Sequence, residues 1–247
     1  MKAQSLNDFL EWQPPKQEYI ISDGLLIPQT KMVIYGRWES WKSMLAMDLA
    51  FHLAAGKNWL GFDIQPVTVY TLQIEIPKPK FQKRVSKYSH GNGLRPDRLF
   101  LRTEFNMKLD KNIYIRDMET ELQSVLPQVL IIDPLYKVVS GKLTEDDGVR
   151  IFQNEIDRLI DLYKVAVILI HHDRKTQIVD GQPYTSEDDM FGSSMWSNWF
   201  DTQIRTIKTS KDAEVILSFE KTRHAEEEVK NIKIGIDRKT LQFNKLL

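Results

Sequence analysis

Apolar and polar positions along this chain alternate between short continuous runs and longer periodic ones. Residues 32–35, Met-Val-Ile-Tyr, are a short apolar run that breaks at Gly36, which predicts a buried strand. From 42 to 55, apolar residues (Met44, Leu45, Met47, Leu49, Phe51, Leu53) fall on nearly every helical face, and Gly56 follows. That predicts a helix buried between other elements and capped by the glycine. The alternation continues with strands over 67–74, 99–101, 129–132 and 165–170, and helices over 80–88, 118–125 and 149–163. Unbroken apolar strands separated by helices predict a parallel sheet covered on both faces. After about residue 200, segments 202–209, 213–220, 231–236 and 240–243 read as strands joined by polar turns, with Ser210-Lys211-Asp212 as a hairpin connection. The expected fold class is α/β, a mostly parallel twisted sheet with helices on both faces and a C-terminal antiparallel β extension. One domain over 1–247 is expected. Residues 1–30 form a lead-in with turn signals at Pro14-Pro15 and Asp23-Gly24, 31–200 the parallel core and 201–247 the extension. The polar stretch 176–191, with Gly181 and Pro183, reads as a mobile loop.

Composition narrows the picture. The chain has 247 residues, 42% of them hydrophobic, enough for a full core. Its 34 basic and 34 acidic residues cancel, so the overall field gives no argument for nucleic acid or an anionic membrane. There is no cysteine, which excludes disulfides, thiolate zinc sites and cysteine nucleophiles. The start of the chain does not read as a signal peptide, and no stretch approaches the ~20 apolar residues of a membrane span. A soluble cytoplasmic protein, in a cell or an infected cell, is the expectation.

The candidate chemistry sits where predicted strands end. Gly36-Arg37-Trp38-Glu39-Ser40-Trp41-Lys42-Ser43 follows a strand and opens a buried helix. Gly-x4-Gly-Lys-Ser/Thr in that setting cradles phosphates on backbone N–H groups, with the lysine on the β/γ-phosphates and the hydroxyl on Mg²⁺. Trp41 stands at the second glycine position, where close backbone approach normally calls for glycine. An ordinary strand–loop–helix turn containing Lys-Ser has the same pattern. For such a loop to serve hydrolysis, Trp41 must point away from the phosphates, with a backbone conformation open to a non-glycine residue. Asp133 ends an aliphatic strand and precedes Pro134, a place that faces the ligand crevice of an open α/β sheet; capping a helix is the plainer role. Glu75 follows the first strand after that helix, where it can activate a water or be a solvated carboxylate. Adjacent His171 and His172 point to opposite faces of a strand, so they do not share a metal; one suits contact with a γ-phosphate. Lys221 and Arg223, two apart on extended chain, project to one side, as a finger supplied to a neighbour's nucleotide or as a solvated basic turn.

In order and spacing these features resemble the RecA-like hexameric ATPases related to plasmid-encoded replicative helicases of superfamily 4. Matching stretches are 33–61, 70–84 with Glu75, 129–141, 165–175, Gly192-Ser193-Ser194 with Asp201, and 219–225. The resemblance implies a RecA-like P-loop NTPase core that hydrolyses ATP with Mg²⁺. It makes Lys42 and Ser43 the phosphate and metal contacts, Asp133 the second metal residue, Glu75 the base, His172 the phosphate sensor, and Lys221 with Arg223 the finger in trans. It also implies a homo-oligomeric ring, hexameric in the manner of that family, acting on single-stranded DNA. Segments 135–148 and 176–191 correspond to channel-facing loops there, making Lys137, Lys142, Arg174 and Lys175 candidate DNA contacts. The acids Glu145, Asp146, Asp147, Glu187, Asp188 and Asp189 lie in the same loops, so no basic funnel is visible. A nucleotide-dependent switch or loader that does not unwind is the alternative. A scaffold that has lost nucleotide chemistry through Trp41 is a third.

Overall fold

A computed structural model of the chain describes residues 3–13, 19–173, 190, 192 and 194–246, together with the backbone of 177–179 and 182–184. In chain order its elements are α1 (Leu6–Glu11), β1 (Lys31–Gly36), α2 (Lys42–Ala55), β2 (Val69–Gln73), α3 (Lys78–Asn92), β3 (Leu99–Thr103), α4 (Asn112–Val125), β4 (Val129–Asp133), α5 (Leu135–Val138), α6 (Asp146–Tyr163) and β5 (Ala166–Ile170). There follow β6 (Gln177–Val179), β7 (Gln182–Tyr184), α7 (Ser194–Trp199), β8 (Thr202–Lys208), β9 (Glu214–Thr222), β10 (Ile232–Ile236) and β11 (Phe243–Lys245).

Nine of these strands form one sheet in the order β11-β10-β9-β8-β1-β5-β4-β2-β3. From β3 to β8 all pairings are parallel; β9, β10 and β11 add on antiparallel, as the change of pattern near residue 200 predicts. Alternation along the central strands divides the core. Met32, Ile34, Ile131 and Ile168 pack toward α2 on one face, while Val33, Tyr35, Ile132 and Leu169 pack toward α4 and α6 on the other. Each fully buried aliphatic side chain of this kind stabilises the fold by about 1.5–3 kcal/mol. α3 rests on the outer side of α2 through Tyr88, whose ring lies 4.6 Å from that of Phe51.

A buried carboxylate ties α2 to its surroundings. Asp48 accepts from Trp59 Nε1 at 2.9 Å, Tyr88 Oη at 2.8 Å and the Phe243 backbone N–H at 3.3 Å. It thereby links α2, α3 and the last strand, which braces the helix that follows loop 37–41.

Some elements differ from expectation. The lead-in contains α1, held by Ser5 accepting from the Asp8 N–H, with no residue of the helix buried. A short hairpin, β6–β7, lies in the stretch expected to be a loop. The last strand begins at Phe243 because residues before it form a turn closed by Leu241 N–H to Asp237 O at 2.6 Å. Among the described residues no helix is long and apolar enough to cross a membrane.

Candidate functional site

The sheet order places the carboxyl ends of β1, β5, β4 and β2 side by side, with α2 starting from β1 beneath them. An open α/β sheet binds its ligands at that rim. A cavity of about 790 Å³ lies there, lined by residues 38–44, Glu75, Arg84, Asp133 and His172, with hairpin residues 208–214 and Arg238 opposite. The first N–H groups of α2 have no side-chain cap, because Trp41 occupies the capping position without such a bond.

The loop is built on three residues with positive φ, Gly36, Glu39 and Trp41. Gly36 has φ 156°, and a Cβ there would meet Thr206 Oγ1 at 2.2 Å and Thr206 O at 2.5 Å. Only glycine fits. Thr206 is buried on β8 and meets Ser40 Oγ at 2.6 Å, so the loop is fastened to the neighbouring strand. Trp41 has φ 65° and ψ 11°, left-handed backbone. The expectation is a backbone open to a non-glycine residue, and the chain does not use the broadly allowed extended or right-handed regions for it. It takes the glycine-favouring one, at a cost of about 1–2 kcal/mol. The ring finds compensation in the core beside Met44 and under Arg238, whose guanidinium carbon is 5.7 Å from the ring centroid.

Lys42 is buried, and its Nζ donates to Arg37 O at 2.6 Å and Ser40 Oγ at 3.3 Å. Burial pulls its pKa down to about 8 against the attraction of Asp173, Asp133 and Glu75. Ser43 Oγ donates to Asp133 Oδ1 at 3.1 Å. Burial pushes Asp133 up to about 6, with the Ser43 hydrogen bond opposing. Glu75, two residues beyond β2, accepts from Tyr136 Oη at 3.0 Å. His172 lines the cavity, whereas His171 is fully buried with its ring 6.0 Å from Trp196, so the pair diverges as expected for extended chain. Burial, and then Lys42, holds His172 below the ordinary histidine value, so it is neutral near pH 7.

The sequence carries a matching signature over residues 1–177, that of a family described as AAA domain. The chain belongs to this AAA domain family. Among solved structures this AAA domain is similar to one described as the ATPase domain of a larger protein, with TM-score 0.67 and 12% identity over 98% of this chain and 96% of that one. It is also similar to a DnaB-like replicative helicase described with its interactions with primase, with TM-score 0.65 and 13% identity over 88% of this chain. The chain spans 59% of the length of that helicase. No curated protein matches it. At these identities the likeness is one of fold, and the fold is the RecA-like ATPase core that the motif order implies.

Lys42, Ser43, Glu75, Asp133 and His172 thus gather in one cavity of this AAA domain. Lys221 and Arg223 do not. Thr222 pairs with Thr202, and Thr202 with Met32, so they sit at the amino end of β1, roughly 13 Å below the start of the loop by strand rise and two strands to the side. Nor do they form a free tip. Arg223 Nη1 bonds Asp201 Oδ1 at 2.6 Å and Lys221 Nζ donates to Ser197 O at 3.1 Å. They do project to one side, over the end of α7. Lys142 pairs with Glu145 at 2.7 Å, and Lys137 Nζ lies 5.4 Å from the Tyr136 ring. Arg174 and Lys175 lie outside the described residues.

Sequence reasoning missed Arg84, Tyr136, Thr206, Arg238 and the hairpin 208–214. Of these only Tyr136 carries a local signal, three positions beyond Asp133 at a strand exit.

Proposed function

We propose that this chain hydrolyses ATP at the β1–β2 cavity and works as a RecA-like motor on nucleic acid, in a ring of identical subunits, six as the family resemblance implies, on single-stranded DNA. The observation that carries the reading is the meeting of Lys42, Ser43, Glu75, Asp133 and His172 on one cavity from the ends of three strands and the start of one helix.

The residues fit Mg²⁺. Ser43 and Asp133 present hard oxygens 3.1 Å apart, and a hydroxyl with a carboxylate suits a metal that takes its other ligands from phosphate and water. When bound, the metal screens charge on the β- and γ-phosphates. Lys42 exchanges its bonds to Arg37 O and Ser40 Oγ for phosphate oxygens. Glu75 accepts the proton of a water whose oxygen forms the new bond to the γ-phosphorus. The bond from that phosphorus to the bridging oxygen breaks, its electron pair stays on ADP, and inorganic phosphate leaves. Neutral His172 donates a hydrogen bond to the γ-phosphate without adding charge.

Lys221 and Arg223 are too far from their own loop to act on it, which favours a role at a neighbour's nucleotide. Phosphate release should rise with added single-stranded DNA, and Arg223→Ala should stop turnover while ATP still binds. Unchanged turnover in R223A would sink the finger role. Particle mass with ATP should be six-fold that of the chain; a stable monomer contradicts the ring.

The Lys142–Glu145 pair and the acids nearby favour the second reading, a switch or loader that hydrolyses ATP without unwinding. A strand-displacement assay at several salt concentrations separates the two, because binding to DNA depends steeply on salt.

A further inference from the structure

β4 lies between β5 and β2 in the sheet. Whatever leaves its carboxyl end is therefore placed to reach the residues leaving both neighbours. The chain turns there through Asp133-Pro134 into the single turn α5, and the second residue of α5 is Tyr136. Its hydroxyl donates to Glu75 Oε1 at 3.0 Å, past the end of β2. Its ring lies 5.4 Å from the imidazole of His172, past the end of β5, with the planes 54° apart. The backbone beneath is fixed, since Leu135 and Val138 are fully buried in the core. One half-buried side chain thus spans the group that takes the water proton and the group that contacts the γ-phosphate in the proposed reaction.

We propose that Tyr136 is the positioning residue of this site: it sets the direction of the Glu75 carboxylate and holds it in step with His172. This rests on the proposed function. Glu75 is exposed at the cavity rim, so its side chain has several rotamers to choose among. The phenol occupies Oε1 and leaves Oε2 to accept the proton of water. Tyr136 remains a donor throughout the working range, because burial first and then the bond to Glu75 push it up to about 12. The tyrosine touches no reacting atom; it acts through the glutamate.

The test uses the full chain with Tyr136→Phe and Glu75→Gln, read by phosphate release and by calorimetric binding of a non-hydrolysable ATP analogue with Mg²⁺. Y136F keeps the ring against His172 and removes only the hydroxyl, so folding is preserved; a thermal melt confirms it. The expected result is a kcat lowered about 10-fold, a fraction of what a general base contributes, with KM and analogue affinity within about twofold of the parent. Turnover within twofold of the parent would overturn the proposal. So would equal losses of kcat and analogue affinity, which mark the tyrosine as part of the ground-state packing. E75Q keeps the two failures apart. If E75Q hydrolyses ATP at the parental rate, the base assignment itself fails, whatever Y136F does.

Discussion

Asp133 is 6% exposed, and burial lifts its carboxyl from 3.8 to about 6 even though Ser43 donates to it. Each pH step of one is worth about 1.4 kcal/mol, so carrying this carboxylate ionised at pH 7 costs the empty fold about 3 kcal/mol. The sign follows from the raised value. The native state holds the proton more tightly than the unfolded chain, so the favourable contribution is complete below about pH 4 and is lost as pH rises through about 6. Asparagine keeps the shape and an acceptor for Ser43 and carries no charge. In Asp133→Asn the nucleotide-free protein should gain up to about 3 kcal/mol at pH 7, a rise in Tm of roughly 5–10 °C for a chain of this size. The gap between variant and parent should close as pH falls from 7 toward 4. Turnover should fall at least about 100-fold if Asp133 holds the metal as proposed. The assay is a set of thermal melts from pH 4 to 8, with phosphate release alongside. A D133N protein that melts no higher than its parent at pH 7, with a parallel pH profile, would refute the argument that this carboxylate is strained by burial.

The same groups link nucleotide binding to protons. Lys42, pulled down to about 8, should be recharged by phosphate, so Mg-ATP binding should take up about half a proton at pH 8 and release protons near pH 6 as Asp133 ionises; calorimetry in buffers of different ionisation enthalpy reads both, and no buffer dependence at pH 8 speaks against the Lys42 contact. Gly36→Ala drives a Cβ into Thr206 and should lose at least about 3 kcal/mol in urea unfolding, with nucleotide binding; a near-parental midpoint contradicts the fit. Trp41→Gly frees the left-handed backbone and should keep turnover within about threefold. A W41G protein active where the parent is inert would mark the native loop as the defect.

The central strands are legible in the sequence because each is an uninterrupted aliphatic run, buried on both faces, and such runs have few other uses. β11 starts later than its apolar pattern predicts because its start is set by the Asp237–Leu241 turn. α1 puts Leu6, Phe9 and Leu10 at helical spacing, but the run is only six residues long, none of it is buried, and it rests on its Ser5 cap. At the site, strand-end residues can be read because parallel topology carries them all to one rim. Arg84, Arg238 and the hairpin 208–214 reach that rim across the fold, and no local pattern records such contacts. Trp41 is the instructive case. Its side chain argues for an ordinary backbone, yet packing against the core and Arg238 holds it in the left-handed one.

The central claim is that this cavity hydrolyses ATP with Glu75 as the base, and the most direct test is a single-turnover experiment on the parent and Glu75→Gln. With enzyme in excess over labelled Mg-ATP, the parent should convert the nucleotide to ADP and phosphate. E75Q should bind it with affinity within about threefold and hold it intact, at least about 100-fold slower. An E75Q protein that turns over like the parent, or a parent that leaves ATP intact, would contradict the account.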